Sequence, residues 1–217
     1  AIVAWAILAW SMLARALSAG TAQAEPPLVV VSIKPVHSLV SLAMEGVGAP
    51  HLLLPAGSSP HTNALKPSDM RWLSSAALIV WIGPELEAYL ARPLANAKLN
   101  AKTLSLTQDP SVAKLSRRRG GLWAEGAERL EGRGHAAADN HAHEPGAIDP
   151  HLWLDPENAR RIIRSVVARL REVDPDNAGR YAENGAVAER ELVALEAEIA
   201  AAIGPARAAR YLVFHDG

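Results

Sequence analysis

Three histidines, widely separated along the chain, are the residues whose type could support the most specific chemistry. They are His61 at the end of the sequence SPH, His151 within DPHLW, and His215 within VFHD. Imidazole is a common zinc ligand, and three such ligands leave a fourth coordination position open. Ligands this far apart can meet only when a folded core brings loops together, unlike the short CxxC spacings of structural zinc sites. The pattern therefore indicates a binding or catalytic site; the alternative is that each residue is an ordinary surface or capping histidine.

The first 24 residues predict a secretion signal. Residues 1–17 are apolar except for Ser11 and Arg15, and residues 22–24 (AQA) fit the small-x-small pattern that precedes a signal peptidase cut. A membrane-spanning helix is the alternative, but the run is shorter than the roughly 20 apolar residues that cross a bilayer. Because the chain does not begin with Met, we expect the start of this signal to be missing.

Composition limits the cellular compartments and the classes of partner that we expect for this chain. The chain has no cysteine, and therefore no disulfide and no thiol for a lipoprotein anchor. About 190 mature residues suffice for one or two domains without such bonds. The net charge of −1 gives no electrostatic case for binding nucleic acid or an anionic membrane. We expect a periplasmic monomer without stable membrane insertion after signal cleavage.

Short apolar runs alternate with helical patterns over residues 28–106. The predicted strands are 28–33, 51–54, 77–82 and 102–106, with helices beginning at Pro35, Pro67 and Glu85 between them. Alternation at this spacing is typical of an α/β fold with a parallel sheet flanked by helices. Residues 107–148 break the rhythm, since they are rich in Gly, Ala, Arg and Glu, and they predict a long mobile loop.

The sequence predicts two helices after this loop. The second is long enough to connect two lobes. It begins at Asp174, and its apolar positions recur at helical spacing as far as Ile203. A helix of up to about 25 residues spans roughly 38 Å, which is enough to bridge two lobes. Residues 211–214 then predict a new strand just before the chain ends. We therefore expect the second lobe to be truncated in this chain.

The predicted fold brings the three histidines toward one place. Ligands in open α/β sheets gather at the carboxyl ends of the strands. His61 follows the second predicted strand, His215 follows the last, and His151 lies between the long loop and a helix. All three are therefore candidates for one crevice.

Several segments, taken in order, carry a family resemblance. They resemble the high-affinity zinc-binding proteins of bacterial ABC importers, the ZnuA type of the metal-binding cluster A-I family, over nearly all of the mature chain. The segments are 31–35 (VSIKP), 53–61 (LLPAGSSPH), 65–69 (LKPSD), 80–87 (VWIGPELE), 149–156 (DPHLWLDP) and 213–216 (VFHD).

The resemblance implies a receptor with two α/β lobes joined by one long helix. It implies an N-terminal lobe over 25–173, an inter-lobe helix over 174–206 and the first strand of a C-terminal lobe over 207–217. His61, His151 and His215 would be the metal ligands, with His215 supplied by the second lobe. The protein would capture Zn²⁺ as cargo and deliver it to an inner-membrane ABC permease with its ATPase, without being an enzyme.

Ligand type favours zinc over manganese, because imidazole suits zinc whereas manganese prefers carboxylates and water. Manganese-binding members of the family generally have Glu where this chain has His215. The fourth ligand would be water or a carboxylate of the missing lobe. The family often has a His-rich, acidic segment; here it is thin, with Asp139, Glu144 and three histidines, His135, His141 and His143. These three could form a secondary metal loop or belong to a solvated loop.

Other residues and other functions remain open at this point. We interpret His37 as a packing or capping residue, His51 as a strand start facing solvent or the sheet edge, and Trp72, Trp81 and Trp153 as core or pocket-wall residues. Asp69 and Glu85 could orient histidines as hydrogen-bond acceptors. A manganese or iron receptor of the same fold is the nearer alternative function. A zinc-dependent hydrolase is the more distant one, since no HExxH motif is present and only Asp216 adjoins a candidate ligand. A periplasmic zinc buffer or adhesin without a transporter is the third.

Overall fold

The computed structural model describes residues 25–55, 57–61, 63–116 and 148–206. The predicted signal (1–24), His135, His141, His143, His215 and the predicted last strand lie outside these described residues.

Four short parallel strands form one sheet. They are β1 (Val29–Val31), β2 (His51–Leu52), β3 (Leu78–Trp81) and β4 (Thr103–Ser105), in the order β2-β1-β3-β4. Every residue of β1 and β3 is buried, as expected for central strands covered on both faces. Backbone pairing continues past the strand ends, for example from Leu54 N to Ser32 O at 3.1 Å. The structure therefore confirms the predicted α/β fold, with strands slightly shorter than the apolar runs.

Helices cover both faces of this sheet. They are α1 (Lys34–Ala43), α2 (Pro67–Ser75), α3 (Ala88–Leu94), α4 (Ala97–Asn100), α5 (Pro156–Val173) and α6 (Ala178–Ile203), with 3-10 turns at Leu152–Leu154, Pro175–Asn177 and Gly204–Ala206. Proline in the first turn begins α1, α2 and α5, where its missing N–H has no cost. Helix α3 begins later than predicted because residues 83–87 form a turn, in which Glu87 N donates to Gly83 O at 2.9 Å.

The alternating side chains of the strands divide the core into two layers. Val29, Val31 and Val80 face α1, α5 and α6, whereas Val30, Ile79 and Trp81 face α2, α3 and α4. The first layer is the larger and includes the fully buried Ile162, Val166, Leu170 and Tyr181. The period-two geometry of a strand produces this division directly.

Helices α5 and α6 form an antiparallel pair. Arg160 Nη1 donates to Glu196 Oε2 at 2.7 Å, and Arg164 Nε donates to Glu189 Oε2 at 2.8 Å. In the N-terminal half of α6, Asn184 Nδ2 donates to the carbonyls of Ala43 and Glu45 at 3.0 and 2.8 Å. These last bonds satisfy carbonyl groups at the end of α1 that have no partner within the helix.

The apolar stripe of α6 is buried over only part of its length. Tyr181 and Ala188 are buried as predicted, but Leu195, Ile199 and Ile203 are exposed within the described part of the chain. The reason is the length of α5: its residue Arg160, near the helix start, already contacts Glu196. Later residues of α6 therefore extend past their partner helix. No helix of the described segments has both the length and the apolar character needed to cross a membrane.

Two glycines of α6 should respond oppositely to the same substitution. A Cβ at Gly185 would lie 2.8 Å from Val167 Cγ2, whereas a Cβ at Gly179 would meet no atom within 4 Å. Overpacking a helix interface costs about 1–3 kcal/mol, so Gly185→Ala should lower the free energy of unfolding by that amount. Gly179→Ala should leave it unchanged or raise it by up to about 1 kcal/mol, because alanine favours helix. Urea denaturation of both variants tests this, and equal effects would contradict the described helix contact.

Candidate metal centre

The direction of α5 places His151 at the carboxyl edge of the sheet. Near the end of α5, Arg169 Nη2 donates to Ala101 O at 3.3 Å, just before β4 begins. Near its start, Asn158 Nδ2 donates to Ala113 O at 3.0 Å, well beyond the end of β4. The helix therefore runs antiparallel to β4, and residues that precede α5 lie where the strands end.

His61 belongs to the loop that follows β2, and it lies at the same edge. The loop starts after Leu54, whose N–H donates to Ser32 O, and ends at Lys66, whose N–H donates to Asp69 Oδ2 at 2.8 Å. The His61 side chain is exposed, and its backbone N–H donates to Ser59 Oγ at 3.3 Å. The imidazole is thus carried on a surface loop that is anchored at both ends.

His151 is mostly buried and is held by its neighbours. Its Nδ1 lies 2.7 Å from Asp149 Oδ1, and its backbone N–H donates to the same oxygen at 3.0 Å. The indole of Trp153 lies edge-on with ring centroids 5.4 Å apart, and only 15% of the His151 side chain is exposed. With Nδ1–H donating to the carboxylate, Nε2 is the nitrogen that carries the lone pair. A carboxylate in this position orients ligating histidines in many metal sites.

The carboxylate that contacts His151 is Asp149. Asp69 instead caps the start of α2 through Lys66 N, and Ser68 Oγ donates to it at 3.3 Å. Asp149 was not singled out, although it stands only two residues before His151 in the DPH motif. Its own N–H donates to Leu115 O at 2.8 Å, which fixes the strand segment that leads into the site.

The other aromatic residues have varied roles. His37 Nε2 contacts Pro50 O at 3.0 Å, in agreement with its predicted packing role. His51 stacks on Trp72 with ring centroids 4.1 Å apart, at the amino edge of the sheet, and burial lowers the pKa of His51. Trp81 is buried and Trp153 is half-buried beside His151, as interpreted from the sequence. Trp72 is not a core residue, because it is exposed and stacks on His51, but it does line a small pocket with Arg71 and Ser75.

The described ranges bring His61 and His151 to one edge but contain no group of three or more His, Asp or Glu side chains that could hold a metal ion. His215 lies outside those ranges, as do His135, His141 and His143. The proposed ligand set and the secondary metal loop therefore stay predictions.

A buried carboxyl group lies between β1 and β3 at this same edge. Glu87 is fully buried; its Oε2 accepts from Gly83 N at 3.0 Å, and its Oε1 accepts from Ser32 Oγ and from Ile82 N at 3.4 Å. Burial raises the pKa of Glu87 to about 7, although these three donors favour the charged form. Sequence reasoning missed this residue, and its only signal was a second Glu in the apolar frame IGPELEAYL.

Solved structures of two metal-bound proteins share this fold. The Zn(II)-bound AdcA from Streptococcus pneumoniae aligns with a TM-score of 0.59 and 20% identity, covering 81% of this chain and 32% of that one. An Mn-bound periplasmic metal-binding protein from Candidatus Liberibacter asiaticus aligns with a TM-score of 0.58 and 18% identity, covering 82% and 55%. At these identities the likeness establishes the α/β fold alone.

Sequence comparison identifies the family. The model of the ZnuA family, described as zinc-uptake complex component A, periplasmic, matches residues 29–217, and the chain belongs to this family. The high-affinity zinc uptake system protein ZnuA of Brucella abortus (strain 2308) is 35% identical over 212 residues, covering 87% of this chain. The chain spans 61% of that relative's length. The resemblance stated from the sequence motifs is therefore confirmed.

Glu87 should make folding stability depend on pH. Its pKa is about 7 in the folded protein and near 4.5 when unfolded, so the folded state binds the proton more tightly. Its contribution is fully present below pH 4.5 and is lost as the pH rises toward 7, by about 3 kcal/mol at 1.36 kcal/mol per pKa unit. Denaturant unfolding from pH 4 to 8 should show this decline, and Glu87→Gln should show a flatter profile. Parallel profiles for the two proteins would contradict the raised pKa.

Proposed function

We propose that this protein is an extracytoplasmic receptor that captures Zn²⁺ and delivers it to an ABC-type zinc importer. The observation that carries the proposal is the His151 ring, held at Nδ1 by Asp149 at the sheet edge that also carries His61. Membership of the zinc-uptake family supports the same conclusion. Because the chain spans about three fifths of its relatives' length, the activity of the whole protein belongs to this proposal.

The proposed ligands are His61, His151 and His215. Three imidazoles suit zinc better than manganese, and the Asp149 carboxylate would strengthen His151 as a ligand. In the metal-binding relatives of this fold, both Zn(II)-bound and Mn-bound proteins occur, so the fold does not select the metal. The choice rests on the donor atoms, which makes metal preference the decisive measurement.

The proposed arrangement has two lobes. Residues 25–173 would form the first lobe, the helix of 174–206 would leave it, and residues 207–217 would begin the second. The exposed apolar residues near the end of α6 support this arrangement, because a second lobe would cover them. A cleavable signal, a periplasmic location and a permease with its ATPase as partners belong to the same proposal, as does the absence of catalysis.

A competitive titration with zinc and manganese tests the site. The purified protein should show one tight zinc site with a clear preference over manganese. His61→Ala and His151→Ala should each weaken zinc binding by several kcal/mol, because each removes a ligand. Asp149→Asn should reduce affinity about 10- to 100-fold, since it removes only the orienting carboxylate. His51→Ala is the matched control, because His51 lies at the opposite edge of the sheet.

Three outcomes would argue against the proposal. Preference for manganese would indicate a receptor with different cargo on the same fold. Absence of any tight site would mean that these histidines do not form a metal centre. Equal losses in His51→Ala and His151→Ala would mean that zinc binds the protein surface nonspecifically.

A further inference from the structure

The turn between β3 and α3 is tightly built around Glu87. Gly83 has a φ of +153°, and a Cβ there would lie 2.0 Å from Thr107 Oγ1. This close approach leaves room only for glycine at the turn. Leu86 N and Glu87 N both donate to Gly83 O, at 3.1 and 2.9 Å, which fixes the direction of the Glu87 side chain.

Glu87 connects the ends of β1 and β3. From these two neighbouring strands the sheet is extended in opposite directions. Strand β1 is followed by β2 on one side, whereas β3 pairs on the other, so the crevice for ligands lies between the ends of β1 and β3. Ser32 directly follows β1 and donates its hydroxyl to Glu87, while Gly83 and Ile82 follow β3 and donate their N–H groups. A single carboxylate thus joins the two sides of the crevice.

Ser32 carries this connection to the loop of His61. Its N–H donates to Val80 O at 3.0 Å, and its carbonyl accepts from Leu54 N at 3.1 Å. Leu54 is the last residue before the loop that carries His61. A shift of the Glu87 carboxylate would therefore be passed through Ser32 to Leu54, at the start of that loop.

The residue next to Glu87 also belongs to the larger layer of the core. Leu86, adjacent to Glu87, shares one core cluster with Leu54 and with Leu152, the neighbour of His151. All three are buried. Displacement of the turn would therefore disturb the core cluster to which residues of both histidine segments belong.

We propose that Glu87 is a positioning residue for the metal crevice, acting through Ser32 on the loop of His61 and through Leu86 on the His151 segment. This inference rests on the zinc-binding function proposed above. Glu87 lies in the protein interior, where its role is to hold the ends of β1 and β3 at a fixed separation.

The hydrogen bonds of Glu87 allow a positioning role to be distinguished from a role in filling space alone. All three groups that meet the Glu87 side chain are donors, and a carboxylate offers two acceptor oxygens. A glutamine has nearly the same shape but only one acceptor oxygen, so its amide N–H would face another donor. Glu87→Gln therefore changes the hydrogen bonding of the turn with almost no change in volume. Ser32→Ala is the milder variant, since it removes one of the three donors.

The experiment measures zinc affinity by chelator competition and the visible absorption bands of the Co²⁺-loaded protein, using the full chain at 10 °C. Tyr181→Phe is the matched control, because it removes one buried hydrogen bond, from Tyr181 Oη to Asp174 Oδ2 at 2.6 Å, at the opposite edge of the sheet. We expect Glu87→Gln and Ser32→Ala to lose about 10- to 100-fold in zinc affinity, the range found for outer-shell changes. Their Co²⁺ bands should also shift, whereas Tyr181→Phe should match the wild type in both measurements.

The possible outcomes distinguish a failure of the positioning role from a failure of the proposed zinc-binding function. Wild-type affinity and unchanged Co²⁺ bands in Ser32→Ala and Glu87→Gln would overturn the positioning role while leaving the zinc receptor intact. Equal losses in Tyr181→Phe would also overturn it, because they would reflect lowered stability alone. If Glu87→Gln fails to fold, Ser32→Ala decides by itself. Absence of a tight zinc site in the wild type would instead overturn the proposed function on which this inference rests.

Discussion

The parallel pairing of β1 with both of its neighbours is the constraint on which the rest of this structure depends. All three residues of β1 are buried, so each backbone N–H and C=O group must find its partner within the sheet. Parallel pairing places every strand end at one edge, and each return helix must begin there. The loops that carry His61 and His151, and the turn that carries Glu87, consequently lie at one edge of the sheet although they are distant in sequence.

Sequence patterns predicted the framework because strong local signals specify it. The β-branched run around β1 and the prolines at the first turns of α1, α2 and α5 act over a few residues, and the structure follows them closely. The loops of His61 and His151 were recognisable for the same reason. The role of Asp149 was not, since its contact with His151 depends on the backbone turn through Pro150. Glu87 falls within the helix predicted to begin at Glu85, because a buried charge leaves no periodic signal.

Exposure is divided unequally between the two candidate ligands. His151 is mostly buried and contacts a carboxylate and an indole, whereas the His61 side chain is exposed on a surface loop. A fixed ligand lowers the entropy lost on metal binding, and an exposed one allows metal to enter and leave. In the positioning role proposed for it, the buried Glu87 keeps a defined crevice at the expense of some folding stability near neutral pH.

The unequal burial along α6 has a consequence for local stability. Its first half is anchored by Asn184, Tyr181 and the close contact at Gly185, so amide hydrogens there should exchange with solvent only when the whole domain unfolds. Beyond Glu196 the described contacts are few, and amides there should exchange through brief fraying. Any surface that packs on these last turns would slow that exchange. Its binding would be weakened by the conformational entropy that the turns lose when they become ordered. One continuous helix would thus contain both the best and the least protected amides of the domain.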